Sequence, residues 1–280
     1  MPIVRVGDAA IGSGPTKIFV PITPATPEEM SQQVAELPAG IDVLEWRVDF
    51  LRDPSDAAAL TQAAAYLRDL TDLPILATFR TAAEGGQRAV MPEQYAQILF
   101  ALIQSGKIDA IDVQIFRTEN WTQPIITAAA QAQVPVLASY HDHRATPPED
   151  EIVNRLRLMQ VRGASIGKIA VQPQNAGDVF TLMRATWRAS EELHIPLITM
   201  AMSALGAISR IAPSLYGSAA TWSTDGQHDT AAGQLPVNEL LPVLETVDRW
   251  AHAHDTWHLP KIETDAAGET GESGESGETH

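Results

Sequence analysis

Eight short apolar runs punctuate the first 222 residues: Ile18–Ile22, Ile41–Val48, Pro74–Phe79, Ile108–Ile115, Val134–Tyr140, Ile166–Val171, Ile195–Met202 and Ser218–Trp222. Each has the length of a strand. Between them lie longer stretches whose apolar positions recur at helical spacing, and several of these open with start signals. Thr26, Pro27, Glu28 and Glu29 supply a capping hydroxyl, a first-turn proline and acids favoured by the helix dipole. Thr146, Pro147, Pro148 and Glu149 repeat that device, and Asp53-Pro54 and Met91-Pro92-Glu93 open two more helices.

The strand-like runs recur at spacings of roughly 22–34 residues, the scale of repeated βα units. No long Pro/Gly linker divides the first 260 residues. The pattern predicts an α/β fold, a single (β/α)8 TIM barrel over residues 1–262. A doubly wound open sheet is the alternative from pattern alone, but it calls for fewer strands and a phosphate-binding glycine turn. Gly163 to Ile169 has too short a glycine spacing for a P-loop, and Gly12-Ser13-Gly14 lacks the third glycine of a dinucleotide turn. Residues 263–280 end in a Gly/Glu/Ser/Thr repeat with no large apolar residue, which predicts a disordered tail.

Strand ends in such a barrel carry the chemistry. Alternation along the second run puts Glu45, Arg47 and Asp49 on one side and Leu44, Trp46 and Val48 on the other. Arg80 and Glu84 follow the third run, Asp112 and Gln114 lie on the fourth, His141 ends the fifth, and Met200 and Met202 end the seventh. Lys168 interrupts the sixth. A buried lysine with a depressed pKa is the nucleophile that forms a Schiff base with a carbonyl; a lysine at a strand edge with its head in water is the other reading. His141 reads either as a general acid/base or as a hydrogen-bonded rim histidine. His141, Asp142 and His143 together raise a metal site, but no further ligands stand at the needed spacing, so no metal is expected.

Charge narrows the partners. The chain carries −16 over 280 residues, which argues against nucleic acid and anionic membrane surfaces as partners. Arg47, Arg80 and Arg210, gathered at one face of so acidic a chain, point to a small carboxylate or phosphate ligand. The chain has no cysteine, so disulfides, thiolate nucleophiles and cysteine-based zinc sites are excluded. No secretory leader pattern and no run of about 18 apolar residues is seen, so a cytoplasmic location is expected.

These residues, in this order, resemble the type I 3-dehydroquinate dehydratase family. The matching stretches are Leu44 to Asp49, Thr78 to Arg80 with Glu84 to Gly86, Ser139 to Asp142 with Thr146-Pro147, and Lys168 to Ala170. They continue through Ile198 to Met202, Gly206 to Arg210, Tyr216 to Thr221 and Gly233-Gln234, within residues 1–250. The resemblance implies a barrel without metal or cofactor, commonly a homodimer, that removes water from 3-dehydroquinate to give 3-dehydroshikimate. It makes Lys168 the Schiff-base lysine, His141 the proton shuttle and Glu84 the group that orients His141. Arg210 would hold the substrate carboxylate. Glu45, Trp46, Arg47, Arg80, Thr230 and Gln234 would bind hydroxyls or shape the pocket, and Met200 and Met202 would pack on the ring.

The chain departs from the family's frequent pattern at Pro21, where a serine is common, at Gln114, where a glutamate is common, and at Thr230 to Gln234, which lacks a proline. Two other readings stand beside the dehydratase: an aldolase-like Schiff-base lyase on a related carboxylated polyol, and a barrel that binds a shikimate-type ligand without turning it over, for which Pro21 and Gln114 are the support.

Overall fold

A computed structural model describes residues 2–117, 119–227 and 233–253. Two three-residue strands come first, β1 (Val4–Val6) and β2 (Ala9–Ile11), joined as an antiparallel hairpin. Gly7 takes the turn with φ +54°, a backbone region that glycine enters without steric cost.

Eight parallel strands follow: β3 (Lys17–Ile22), β4 (Val43–Arg47), β5 (Ile75–Thr78), β6 (Ala110–Gln114), β7 (Val136–Asp142), β8 (Ile166–Val171), β9 (Leu197–Ala201) and β10 (Ala220–Trp222). Their order is β10-β3-β4-β5-β6-β7-β8-β9. Across the remaining seam, the Ala219 N–H donates to the Leu197 carbonyl (2.8 Å) and the Thr199 N–H to Ser218 Oγ (3.0 Å). The result is a nearly closed (β/α)8 barrel, and each strand falls on one of the eight apolar runs.

The helices are α1 (Pro27–Ala35), α2 (Ala57–Leu70), α3 (Pro92–Gln104), α4 (Glu119–Gln131), α5 (Glu149–Val161), α6 (Ala176–Glu192), the short α7 (Ala207–Ile211) and α8 (Val237–Ala253). Thr26 caps α1 as expected, accepting the Glu29 N–H, and Pro92 opens α3. Two start signals are used differently. Asp53 accepts the Ser55 N–H (3.1 Å) within a turn, and Asp56 caps α2 instead. Thr146 donates to the Gln172 carbonyl (3.4 Å), and α5 starts only after Pro148.

Strands covered on both faces read as continuous apolar runs. One set of positions, among them Leu44, Trp46, Ile75, Ala77 and Ile111, packs between sheet and helices. The alternate set fills the barrel. Phe19, Val43, Leu76, Ala110, Leu137, Ile166, Ile198 and Ala220 form an apolar plug with Val6, Ala9 and Ile11 of the hairpin. Two residues further along most strands the inward positions turn polar: Glu45, Thr78, Asp112, Ser139 and Lys168. The plug thus closes the strands' N-terminal end, and the polar layer lies at their C-terminal end. The tail expected to be disordered lies outside the described residues.

Candidate active site

The polar layer surrounds one cavity at the C-terminal mouth, with about 530 Å³ of atom-free space, partly open to solvent. Glu45, Arg47, Arg80, Glu84, His141, Lys168, Met200, Met202, Arg210 and Gln234 line it, together with Gly85, His143, Ala170 and Trp222. Ten of the twelve residues singled out for catalysis or substrate binding therefore converge. Trp46 does not join them: it is fully buried on the opposite face of β4, in the core beneath the helices. One-residue alternation forbids Glu45 and Trp46 from sharing a face. Thr230 lies outside the described residues.

Lys168 stands on β8 beside Ser139 of β7 and Ile198 of β9. It is buried, and among the described residues no ion pair involves it. Its Nζ lies 3.3 Å from the centroid of the Trp222 ring. Burial pushes its pKa down to about 8, against the pull of Glu45 and Asp112 and with help from Arg80 and Arg47. Desolvation outweighs the carboxylates here because both are held by other partners: Asp112 by Arg80 and Ser139, and Glu45 by the Trp222 N–H and the Thr78 hydroxyl. Arg80 donates to Asp112 Oδ2 (2.7 Å) and Ser139 Oγ (2.8 Å), and Ser139 donates to Asp112 Oδ1 (2.8 Å). Arg47 forms a two-pronged pair with Asp49 (2.9 Å for both bonds). Burial raises the Glu45 carboxyl, but Lys168, Arg47 and Arg80 outweigh it and hold that group below its usual range.

His141 lies one strand away. Its Nδ1–H donates to Glu84 Oε2 (3.1 Å), which leaves Nε2 as the basic nitrogen. Burial, reinforced by Arg80, Lys168, His143 and Arg47, holds its pKa well below the ordinary histidine value. The imidazole is neutral at pH 7. Burial also raises the Glu84 carboxyl, with Arg80 opposing; the Arg80 guanidinium lies 3.5 Å from its Oε2.

His143 stacks on His141, with ring centroids 6.3 Å apart and planes 16° apart. Its Nε2–H donates to the Glu84 carbonyl (3.0 Å). The two imidazoles thus turn their bonded nitrogens to different atoms of Glu84 rather than to a common point. Gly85 is required beside them, because a Cβ there would fall 2.3 Å from His143 Nε2. Among the described residues no group of three or more His, Asp or Glu side chains is placed to hold a metal ion.

Arg210, from α7, is 1% exposed. Its Nη1 reaches the Trp222 carbonyl (3.4 Å) and Met200 Sδ (3.6 Å), and its Nε has no partner among the described residues. Burial pushes its pKa down to about 10, so it stays charged at pH 7. A buried cation without a carboxylate is costly and accepts an anion readily.

Of the departures from the family pattern, Pro21 and Gln114 are not in the cavity lining, although Gln114 bonds Glu84 from behind, and Thr230 to Gln234 lies partly outside the described residues, with Gln234 in the lining. Gln114 is fully buried, accepting the Thr81 N–H (2.8 Å) and donating to Thr81 Oγ1 (3.1 Å). Neither it nor Pro21 lines the cavity. Four lining residues were not singled out as site residues from sequence: Gly85, Ala170, Trp222 and His143. Strand parity from Ala220 was the available signal for Trp222, and the two-residue offset from His141 was the signal for His143.

A sequence model of the type I 3-dehydroquinase family matches residues 18–249. The chain is 41% identical over 248 residues to a 3-dehydroquinate dehydratase of Listeria monocytogenes, covering 88% of this chain and 98% of that one. It is 41% identical over 247 residues to the Salmonella typhimurium protein of that name, covering 87% and 98%. Among solved structures, a type I 3-dehydroquinate dehydratase from Clostridium difficile, carrying covalently modified comenic acid, superposes with a TM-score of 0.84 at 35% identity, covering 89% and 98%. The Geobacillus kaustophilus 3-dehydroquinate dehydratase gives 0.85 at 32%, covering 89% and 97%.

Proposed function

The chain belongs to the type I 3-dehydroquinase family, and from that premise we propose that its cavity dehydrates 3-dehydroquinate to 3-dehydroshikimate on Lys168, with His141 as acid and base. The observation that carries this reading is a buried lysine outside any ion pair among the described residues, placed in one cavity with a histidine tethered to a carboxylate.

The chemistry follows from those groups. The Lys168 amine adds to the substrate ketone, and water leaves to give a protonated imine. That imine draws electrons from the adjacent carbon, so a neutral base suffices to remove its proton. His141 takes the proton and an enamine forms. The enamine then expels the hydroxyl on the next carbon, which leaves as water with the proton His141 returns. Hydrolysis consumes one water and frees Lys168, so one water is lost overall. Glu84 stabilises the imidazolium while it exists and fixes which nitrogen is basic. Arg210 takes the substrate carboxylate, since no protein carboxylate competes for it among the described residues. Glu45, Arg47, Arg80 and Gln234 address hydroxyls, and Met200 and Met202 form the apolar wall. Trp46 has no part in the site.

The experiment is reduction with borohydride in the presence of 3-dehydroquinate, read by intact mass and peptide mapping. We expect an adduct on Lys168, absent in Lys168→Ala, which also loses turnover. A folded Lys168→Ala protein that retains turnover would overturn the assignment. The binding-only reading loses its support, because Pro21 and Gln114 lie off the cavity. The aldolase-like reading has no observation in its favour.

Pairing with a second copy and a cytoplasmic location belong to the same proposal. Phe180 and Trp187, one face of α6, are 66% and 56% exposed, and Leu205, Ile208 and Leu215 are exposed on the segments beside it. So much apolar surface in one region suits a subunit interface.

A further inference from the structure

We propose that Trp222 is a positioning residue for imine formation: its indole face seats the Lys168 amine, while its N–H holds the Glu45 carboxylate away from that amine. The inference rests on the dehydratase reading and adds to it a residue that touches both the nucleophile and its nearest counter-charge.

Four contacts carry it. Lys168 Nζ lies 3.3 Å from the Trp222 ring centroid. Trp222 Nε1 donates to Glu45 Oε2 (2.9 Å). Thr78 Oγ1 donates to the other oxygen, Oε1 (2.9 Å), so both carboxylate oxygens are occupied by neutral donors. On its other side the indole stacks on Phe19, its register partner in β3, at 4.3 Å and 16°. The ring is therefore wedged between Phe19 and Lys168 and cannot tilt without losing one of them.

The consequence is electrostatic. A carboxylate free to rotate in a buried site pairs with the nearest ammonium, and an ion-paired lysine keeps its proton. Here the carboxylate is held, and Lys168 forms no ion pair among the described residues. The ring face still attracts the ammonium, but a ring, unlike a carboxylate, takes no hydrogen bond that the attacking lone pair needs. Lys168 is thus kept in place yet able to lose its proton. The charged and titratable groups around it are Glu45 and Arg47 from β4, Arg80 and Glu84 after β5, Asp112 from β6, His141 and His143 from β7 and its end, and Arg210 from α7, with Glu84 bound to His141. Of these, Asp112 is bound to Arg80 and Ser139, which leaves Glu45 as the carboxylate that Trp222 governs.

The test is the rate of cyanoborohydride trapping with saturating 3-dehydroquinate, followed against pH by intact mass. It compares wild type with Trp222→Phe, Thr78→Val, Glu45→Gln and the Trp222→Phe/Glu45→Gln double variant. Trp222→Phe keeps a ring face but removes the N–H along with part of the indole, and Thr78→Val controls for that loss because it removes the other donor without touching the ring. In each single donor variant the pH midpoint should move alkaline by about half a unit or more, as Glu45 swings toward Lys168. Turnover at neutral pH should fall about threefold with KM within about twofold, and should recover as pH is raised. Adding Glu45→Gln should abolish the alkaline shift. An unmoved midpoint in both donor variants, or a shift that persists without the Glu45 charge, overturns the proposal. A lack of adduct in wild type instead overturns the dehydratase reading on which it stands.

Discussion

At the scale of single residues, the site is organised by burial that is unevenly compensated. Glu45, Asp112 and Asp49 each have a cation or donors close by, whereas Lys168 and Arg210 are buried cations left without a carboxylate among the described residues. Two predictions belong here. With Lys168 near 8, about a tenth of it is the free amine at pH 7, against about three in ten thousand for an ordinary lysine. Imine trapping should therefore rise with pH, reach half its plateau near pH 8 and level off about a unit above, and a profile still climbing beyond about pH 10 would contradict the depressed pKa. The sign for stability is the same. The folded value lies below the ordinary lysine value, so the burial cost is fully present below about pH 8 and is relieved as pH rises toward 10.5. For Arg210→Met the expected outcome is a KM raised about 30- to 100-fold, roughly 2–3 kcal/mol of lost binding. The free protein should become more stable to urea, because an unpaired buried charge has gone. A destabilised variant with unchanged KM would mean that Arg210 serves the fold.

At the scale of elements, the strand alternation explains both what was legible and what was not. Parity along β4 separates Glu45 and Arg47 from Trp46, and the structure keeps that separation by burying Trp46 under the helices. The hairpin of β1 and β2 escaped notice because three-residue strands carry too little periodicity to register. The cap at Asp56 was masked by the Asp53-Pro54 pair three residues earlier, an equally good signal in sequence. What holds the last helix is also invisible locally. Asp248 on α8 accepts from the Thr16 N–H (2.7 Å), from Thr16 Oγ1 (3.1 Å) and from Ser214 Oγ (2.7 Å), joining residues 232 positions apart. Asp248→Ala leaves those donors without this acceptor and should cost about 2–3 kcal/mol in chemical denaturation. A loss under about 0.5 kcal/mol would show that the contact is incidental.

At the scale of the whole molecule, the barrel divides its interior into an apolar plug and a polar mouth, and every described lining residue of the cavity comes from the one chain. If the exposed face of α6 is the subunit interface, Trp187→Glu should give monomers in sedimentation velocity while turnover per chain stays within about twofold, since burial of a large aromatic is worth about 2–3 kcal/mol. A variant that sediments as wild type does would place any interface elsewhere.

The order of apolar runs, the start signals of α1 and α3, and the residue types at or after each strand's C-terminal end are properties of neighbours in sequence, and they determined the barrel and nine of the residues in its mouth; Gln234 came from the family resemblance alone. Alternation within a strand is local, so it was readable. Distances between side chains from different strands are not. The seating of Lys168 on Trp222, the clamp from Trp222 to Glu45, the stacking of His143 on His141 and the lack of a carboxylate at Arg210 among the described residues were decided only when eight strands closed around one axis. Register and closure set which side chains meet, and those meetings decide the pKa values on which the chemistry depends.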